Sequence, residues 1–300
     1  MTPAATGEVA GTRPRAFRGA DDIRLVGRQV YYEQLGFWLN PIGAVFTVVF
    51  SVVFLLLLSS TAGASRIPYL AHVRVVVYYV PSFAAYGIMS ACFNMLTISL
   101  VVRREMGLLK RVRLSPLPTW VMLAAIFVNS LIISLLQVVI LFLIGRFGYH
   151  VALPHNFLPL VVALVVGVFC FTSLGIAVST VIPNQEAAGP VVSIVFFILL
   201  FLSGLYYPIK SGSGLAQFSA FFPVRHMITS TVAPFLASAG VPVSPWSWND
   251  ILVMAIWAVV GIAVSLRRWT WAPRRSDPYR TAGSFFAKRG GRAATPDATG

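Results

Sequence analysis

Charge is scarce in this sequence. Charged residues fill 11% of 300 positions, and Asp and Glu together number nine, where a soluble domain carries about 25% charged residues. So few charges cannot clothe a water-facing surface, which excludes an ordinary soluble globular protein. Cysteine is nearly missing too. Cys92 and Cys170 both sit inside apolar runs and read as small buried hydrophobes, which excludes a disulfide framework or a thiolate metal site. No G-x-x-x-x-G-K-[ST] occurs, so these residues hold no phosphate-cradling loop. Metal-ligand spacing is absent as well. His72, His150, His155 and His226 are scattered, and His150 and His155 stand five apart across Pro154, which defeats an i,i+4 pair. They read as solvated loop histidines.

What the sequence has in abundance is apolar length. Hydrophobic residues make up 57% and the mean hydropathy is +0.80. A spanning helix needs about 20 apolar residues. The uncharged runs centre on Pro41–Ser60, Val75–Val102, Thr119–Ile144, Leu158–Ile182, Ala187–Ile209 and Ile251–Leu266. The last run is short, but Trp246 and Trp248 before it and Trp269 and Trp271 after it look like interface anchors, so it counts as a span. The expectation is an all-α polytopic membrane protein with six spans, and both termini on one side. No internal repeat is visible, and the two halves lack matching broken helices, which argues against an inverted-repeat carrier.

The net charge of +14 could point to nucleic acid, but the charges are segregated. Eighteen of the 23 Lys and Arg fall before the first span, in 103–113 and after Leu266; five, namely Arg66, Arg74, Arg146, Lys210 and Arg225, fall on the other side. Positive residues accumulate in the cytoplasm, so the termini are expected inside, in the plasma membrane, with no nucleic-acid partner. Ala62-Gly63-Ala64 resembles a leader cleavage site, but the preceding run is long enough to span and about 40 residues lie ahead of it, so it is read as uncleaved.

Four regions follow. Residues 1–20 form a flexible basic segment. Residues 21–38 form an amphipathic interfacial helix, with Ile23, Val26, Val30, Phe37 and Trp38 on one face and Arg24 and Arg28 elsewhere, the pattern of a helix lying on lipid; the alternative is an extension of the first span. Pro41 suits the start of a new helix. Residues 39–271 hold the six spans. Residues 272–300 are a basic tail, read as disordered and drawn to anionic lipid. On the outer side, 211–249 is broken by Gly212, Gly214, Pro223, Pro234, Pro242 and Pro245 and reads as short interfacial or re-entrant helices.

An enzyme or ion-coupled carrier needs ionisable groups at membrane depth, and the uncharged runs contain none. Their strongest polar groups are Asn94, Asn129 and Gln137, either inter-helix hydrogen bonds or contacts on a substrate path. The inner loop R-R-E-M-G-L-L-K-R-V-R-L-S-P-L-P (103–118) is the most informative segment. Wound as one helix, it places Arg103, Arg104, Lys110 and Arg111 on one side and Glu105, Leu108, Leu109 and Val112 on the other, and Pro116 and Pro118 stop it. Such a helix either meets a protein partner or rests on the inner leaflet.

That loop resembles the cytoplasmic coupling loop of type-2 ABC exporter permeases, such as daunorubicin-resistance permeases and nodulation-factor exporters. F-L-S-G-L-Y-Y-P-I (201–209) closing the fifth span and F-P-V-R-H (222–226) are similar to that family's outer elements. The resemblance spans about residues 20–270. It implies a transporter subunit and no catalytic or metal residue of its own, with ATP and Mg held by a partner P-loop ATPase. It also implies two permease subunits, alike or sister chains, moving a substrate outward between them. ATPase coupling then falls to Arg104, Glu105, Gly107, Leu108, Leu109 and Arg111, with Asn184, Gln185 and Glu186 as a second inner contact. Glu186 also suits the N-terminus of the fifth helix. An outer gate falls to Gly204, Tyr207, Pro208 and Pro223. Spans without fixed charge and 13% aromatic residues suit an amphiphile, whether drug, lipid or lipid-linked glycan, and the drug is favoured by analogy. The rivals are a secondary transporter, a polytopic membrane enzyme and a non-transporting scaffold.

Overall fold

The computed structural model describes residues 20–68, 70–108, 119–206 and 214–268. The described chain is helical, apart from a two-residue antiparallel pair, β1 (Arg66–Ile67) with β2 (Val73–Arg74). The helices are α1 (Ala20–Trp38), α2 (Pro41–Ala62), α3 (Val75–Met89), continued through a π-helical turn Ser90–Met95 into α4 (Leu96–Glu105), α5 (Thr119–Tyr149), α6 (Leu158–Ser179), α7 (Gln185–Leu202), α8 (Gly214–Ser219), α9 (Pro223–Ser238) and α10 (Trp248–Arg268).

Five helical stretches are long and apolar enough to cross a membrane: Val75–Glu105, the bulk of α5, and α6, α7 and α10. The 22 residues of α2 reach about 33 Å at 1.5 Å per residue, the length of a sixth. The chain is thus an all-α multi-pass membrane protein. The helices outrun the uncharged segments, because a helix continues into the headgroup layer where charge costs little. α10 starts at Trp248 and ends at Arg268, so the short sixth run gains both ends. Trp246 and Trp248 stack at its start, with centroids 4.6 Å apart. α7 instead stops at Leu202, earlier than expected, since Gly204 turns left-handed at φ +77° where only glycine sits without strain.

One core runs through the bundle, built on Phe83, Ile88, Met89, Phe171, Met227 and Phe235, all nearly inaccessible. α6 and α10 make the most extensive helix pair. They approach closely because Gly261 has no side chain: a Cβ there would lie 2.7 Å from Ser173 Oγ and 3.0 Å from the Leu174 backbone nitrogen. In the outer region α9 is no surface helix. Pro223 occupies its first turn, and Val224, Met227, Ile228, Val232 and Phe235 are buried against α3, α6 and α10.

α1 forms over the expected residues, and its seat shows contacts that its own pattern does not. Asp22 and Glu33 are its buried residues, while Ile23, Tyr31, Tyr32, Leu35 and Trp38 are exposed, and Val26, Val30 and Phe37 are half-buried. It packs mainly on α5, and its acid finds a partner: Arg103 Nη1 donates to both Glu33 carboxylate oxygens at 2.7 and 2.8 Å. A buried carboxylate needs such a cation, so electrostatics sets the rotation of α1 and leaves its aromatic side outward.

Candidate functional site

Three groups of residues bear on function, one at each end of the bundle and one between. At the basic end α4 finishes with Arg103-Arg104-Glu105. The expected single helix over 103–113 does not form. Gly107 adopts φ +72°, and the Met106 and Gly107 amides close onto Val102 and Arg104 carbonyls, so the span helix ends here. Leu109 and Arg111 lie outside the described residues.

Arg104 is a correction. It is 4% exposed, not on a presented basic face. Its guanidinium donates to the carbonyls of Ser179 at 3.0 Å, Ile182 at 2.6 Å and Pro183 at 3.4 Å, and its Nε meets Glu105 at 3.2 Å. The Ser179 carbonyl ends α6 without a helical partner and carries partial negative charge, and Ile182 and Pro183 present theirs from the turn that follows, so a fork of N–H donors satisfies all three. Glu105, expected to await a partner's charge, is paired within the chain. The same turn begins α7. Asn184 is extended at φ −144° and its Oδ1 accepts the Ala187 amide at 2.9 Å, so Asn184 is a helix cap. Gln185 and Glu186 are exposed on the first turn of α7. Met106 at 64% and Leu108 at 42% exposure complete an open patch.

At the opposite end, Tyr78 Oη donates to the Gly204 carbonyl at 2.6 Å and Tyr79 Oη to the Tyr206 carbonyl at 3.3 Å. Tyr207 and Pro208 lie outside the described residues. A cavity of about 470 Å³ is lined by Tyr78, Ser203, Gly204, Arg225, Thr229 and Trp246, among others. Pro223 is buried at the start of α9, one turn from that lining. Arg225 donates to the Ala216 carbonyl and to Ser219 Oγ, holding α8 against α9. His226 is a second correction. It is not a solvated loop histidine but half-buried in α9, with Nδ1 2.5 Å from Asp250 Oδ1 on α10. Burial pulls its pKa down; the hydrogen bonds to Asp250 and the Ala220 carbonyl and the Asp250 charge outweigh that, so the net shift is upward. His72, His150 and His155 are exposed as expected. No cluster of three potential metal ligands occurs among the described residues.

Between the ends, the three candidate path residues separate. Gln137 is fully buried and its Nε2 donates to Ser51 Oγ at 2.8 Å, a joint between α2 and α5. Asn94 lies in the π-helical turn, its Oδ1 buried with no partner among the described residues. Asn129 lines a cavity of about 400 Å³ between α1, α3–α4 and α5. Glu33, Tyr78 and Tyr79 were missed by sequence reasoning. The tandem tyrosine at the outer end of an aliphatic run was the available signal for the last two; Glu33 carried none, because its partner is 70 residues away.

Against known proteins, the profile of the family described as "ABC-2 type transporter" matches residues 28–236. A Bacillus subtilis (strain 168) protein named as a transport permease, YvfS, is 25% identical over 191 residues, covering 63% of this chain and 75% of that protein. An Escherichia coli (strain K12) protein named as a multidrug ABC transporter permease, YbhR, is 24% identical over 188 residues, covering 62% of this chain and half of that protein.

Proposed function

We propose, since the chain belongs to the ABC-2 type transporter family, that it is the transmembrane subunit of an ATP-driven exporter moving an amphiphile out of the cell. A separate P-loop ATPase, holding ATP and Mg, docks at the basic end. The carrying observation is the Arg104 clamp. One buried guanidinium binds the end of α4 to the α6–α7 turn, so the two inner segments that the family resemblance marks for coupling form a single body. Around it, Met106, Leu108, Gln185 and Glu186 are exposed, an apolar patch with a carboxylate suited to a partner groove.

The excess of Lys and Arg at this end supports a cytoplasmic placement, with both termini inside the plasma membrane. A second permease, identical or a sister chain, completes the transporter. Val191, Ile194, Ile198 and Phe201 form an exposed stripe along α7 that suits either that subunit or lipid. The cavity beside Gly204, closed by Tyr78, is the outer gate, and Arg225 and Trp246 line its exit. Uncharged spans favour a substrate with a large apolar body; the E. coli relative's name, a multidrug permease, favours a drug over a lipid or lipid-linked glycan.

The test is to look for a P-loop ATPase encoded beside this chain, co-express the two and reconstitute them. Co-purification, with ATP-dependent movement of hydrophobic drugs or lipids and none of small sugars, is the expected result. Robust ATP hydrolysis by this chain alone, or transport unchanged without any ATPase, refutes the reading.

A further inference from the structure

The 400 Å³ cavity between α1, α3–α4 and α5 has the size of a ligand site. Its walls are largely apolar, with Phe37, Met95 and Ile133 prominent, and a few polar groups converge on it: Asn40, Ser99, Asn129 and Ser130. Glu33 and Arg103 close its basic end. Asn129 is 9% exposed, and its Oδ1 has no hydrogen-bond donor among the described residues. It stands ten residues into α5, about 15 Å along the helix. An amide left unsatisfied there is costly, and a ligand that supplies a donor removes the cost.

The ion pair limits the charge of that ligand. Arg103 holds both oxygens of Glu33 and Gln29 Nε2 adds a donor at 3.4 Å. The pair is balanced, so a ligand of net charge would enter without a counter-ion and lose its hydration uncompensated. The same pair forms a wall of an adjoining cavity of about 370 Å³ that also includes Leu108, on the patch where the ATPase is placed.

We propose that this cavity binds an amphiphile of no net charge, whose N–H or O–H donor meets Asn129 while its apolar body lies along Phe37, Met95 and Ile133. The ligand enters from the leaflet on the α1 side. Its seat beside the Glu33–Arg103 pair places it one residue from the Arg104 clamp, so occupancy is reported to the docking patch. The binding stands by itself; only its role in transport rests on the exporter reading.

The test uses the purified full chain in phosphatidylcholine nanodiscs, without ATPase. A photoactivatable lysophosphatidylethanolamine whose glycerol hydroxyl is methylated is competed with unlabelled ethanolamine or choline lipid of the same acyl chain, also methylated there, so that neither carries a free hydroxyl. The two heads share zero net charge and differ in N–H donors. The ethanolamine lipid should compete about tenfold better, the factor of one buried hydrogen bond, with adducts on peptides containing Phe37, Met95 or Asn129. Asn129→Leu removes the acceptor, keeps the bulk and should fold well; it should bring the two lipids to parity. Ser99→Trp fills the cavity and should abolish specific labelling. An uncharged hydroxylated drug and its methyl ether form a second arm. Competition by the hydroxylated drug alone extends the site to drugs, and competition by neither, with the lipid preference intact, assigns it to lipid. Equal competition by both lipids in the wild type, or a preference surviving Asn129→Leu, overturns the proposal.

Discussion

Replacing Arg104 with methionine should uncouple the two ends of the inner patch. The methionine keeps the apolar stem and deletes the guanidinium. Three carbonyls, of Ser179, Ile182 and Pro183, then lose their donor, and Glu105 loses its cation. Hydrogen bonds to a charged group contribute roughly 1.5–3 kcal/mol each. Adding three would overshoot, because the 3.4 Å contact is weak and burying Arg104 itself costs desolvation; removing one side of a buried pair costs about 3–5 kcal/mol. Arg104→Lys keeps the charge, but a point-like ammonium cannot fork across three carbonyls, so it should lose about half as much. Stability would be read by denaturant titration in nanodiscs. Geometry would be read by spin labels at Met106 and Glu186, both exposed, whose distance distribution should be narrow in wild type and broad in Arg104→Met. A methionine variant within about 0.5 kcal/mol of wild type, with an unchanged distribution, would refute the clamp.

At the outer end, Tyr78→Phe strips the donor from the buried Gly204 carbonyl and should cost about 1–3 kcal/mol, measured by denaturant titration; Tyr79→Phe, with a 3.3 Å bond, should cost less. The raised pKa of His226 means its stabilisation is complete below the ordinary value near 6.5 and is lost as pH rises through the folded value. Melting temperature should therefore fall on going alkaline from about pH 6.5, and Asp250→Asn should flatten that slope. Gly261→Val should destabilise by about 1–3 kcal/mol, and Ser173→Ala should not rescue it, since backbone atoms of Ser173 and Leu174 lie within 3.0 Å of the new carbon. Met106→Asp, at a 64% exposed position, should leave stability unchanged and weaken ATPase co-purification; tight docking in that variant would move the partner off this patch.

The spans were legible because lipid imposes a simple rule, namely length without charge. The same rule blurs their ends. Nothing in the composition of 187–209 says that the helix stops at Leu202; the stop is a left-handed glycine that periodicity cannot see. The inner loop was legible as a basic segment with an apolar side, but its internal division was not. Winding 103–113 as one helix put Arg103 and Arg104 on a common face. The break at Gly107 and the two separate partners, Glu33 for one and the α6 carbonyls for the other, depend on elements 70 and more residues away. Gln137 and Asn129 show the same limit. Both are amides in one span, eight residues apart; Ser51 across the gap accepts from the Nε2 of the first, while the Oδ1 of the second has no donor among the described residues.

These separate contacts combine along one helix. Val75–Glu105 grips α7 at both ends. Tyr78 holds the Gly204 carbonyl beyond its last turn, and Arg104 holds the Ile182 and Pro183 carbonyls just before its cap. Between the grips, Phe93 stacks on Phe196 with centroids 6.3 Å apart. A pair fixed at both ends cannot slide as rigid rods, so relative motion must be absorbed within one of them. The π-helical turn Ser90–Met95 is the place, because its hydrogen bonds already depart from the α pattern and such turns recur where helices do functional work. A push on the end of α4 would then travel to that turn and change the angle at which α3 presents Tyr78 to the Gly204 carbonyl. Widening at Gly204 would follow without rupture of either grip.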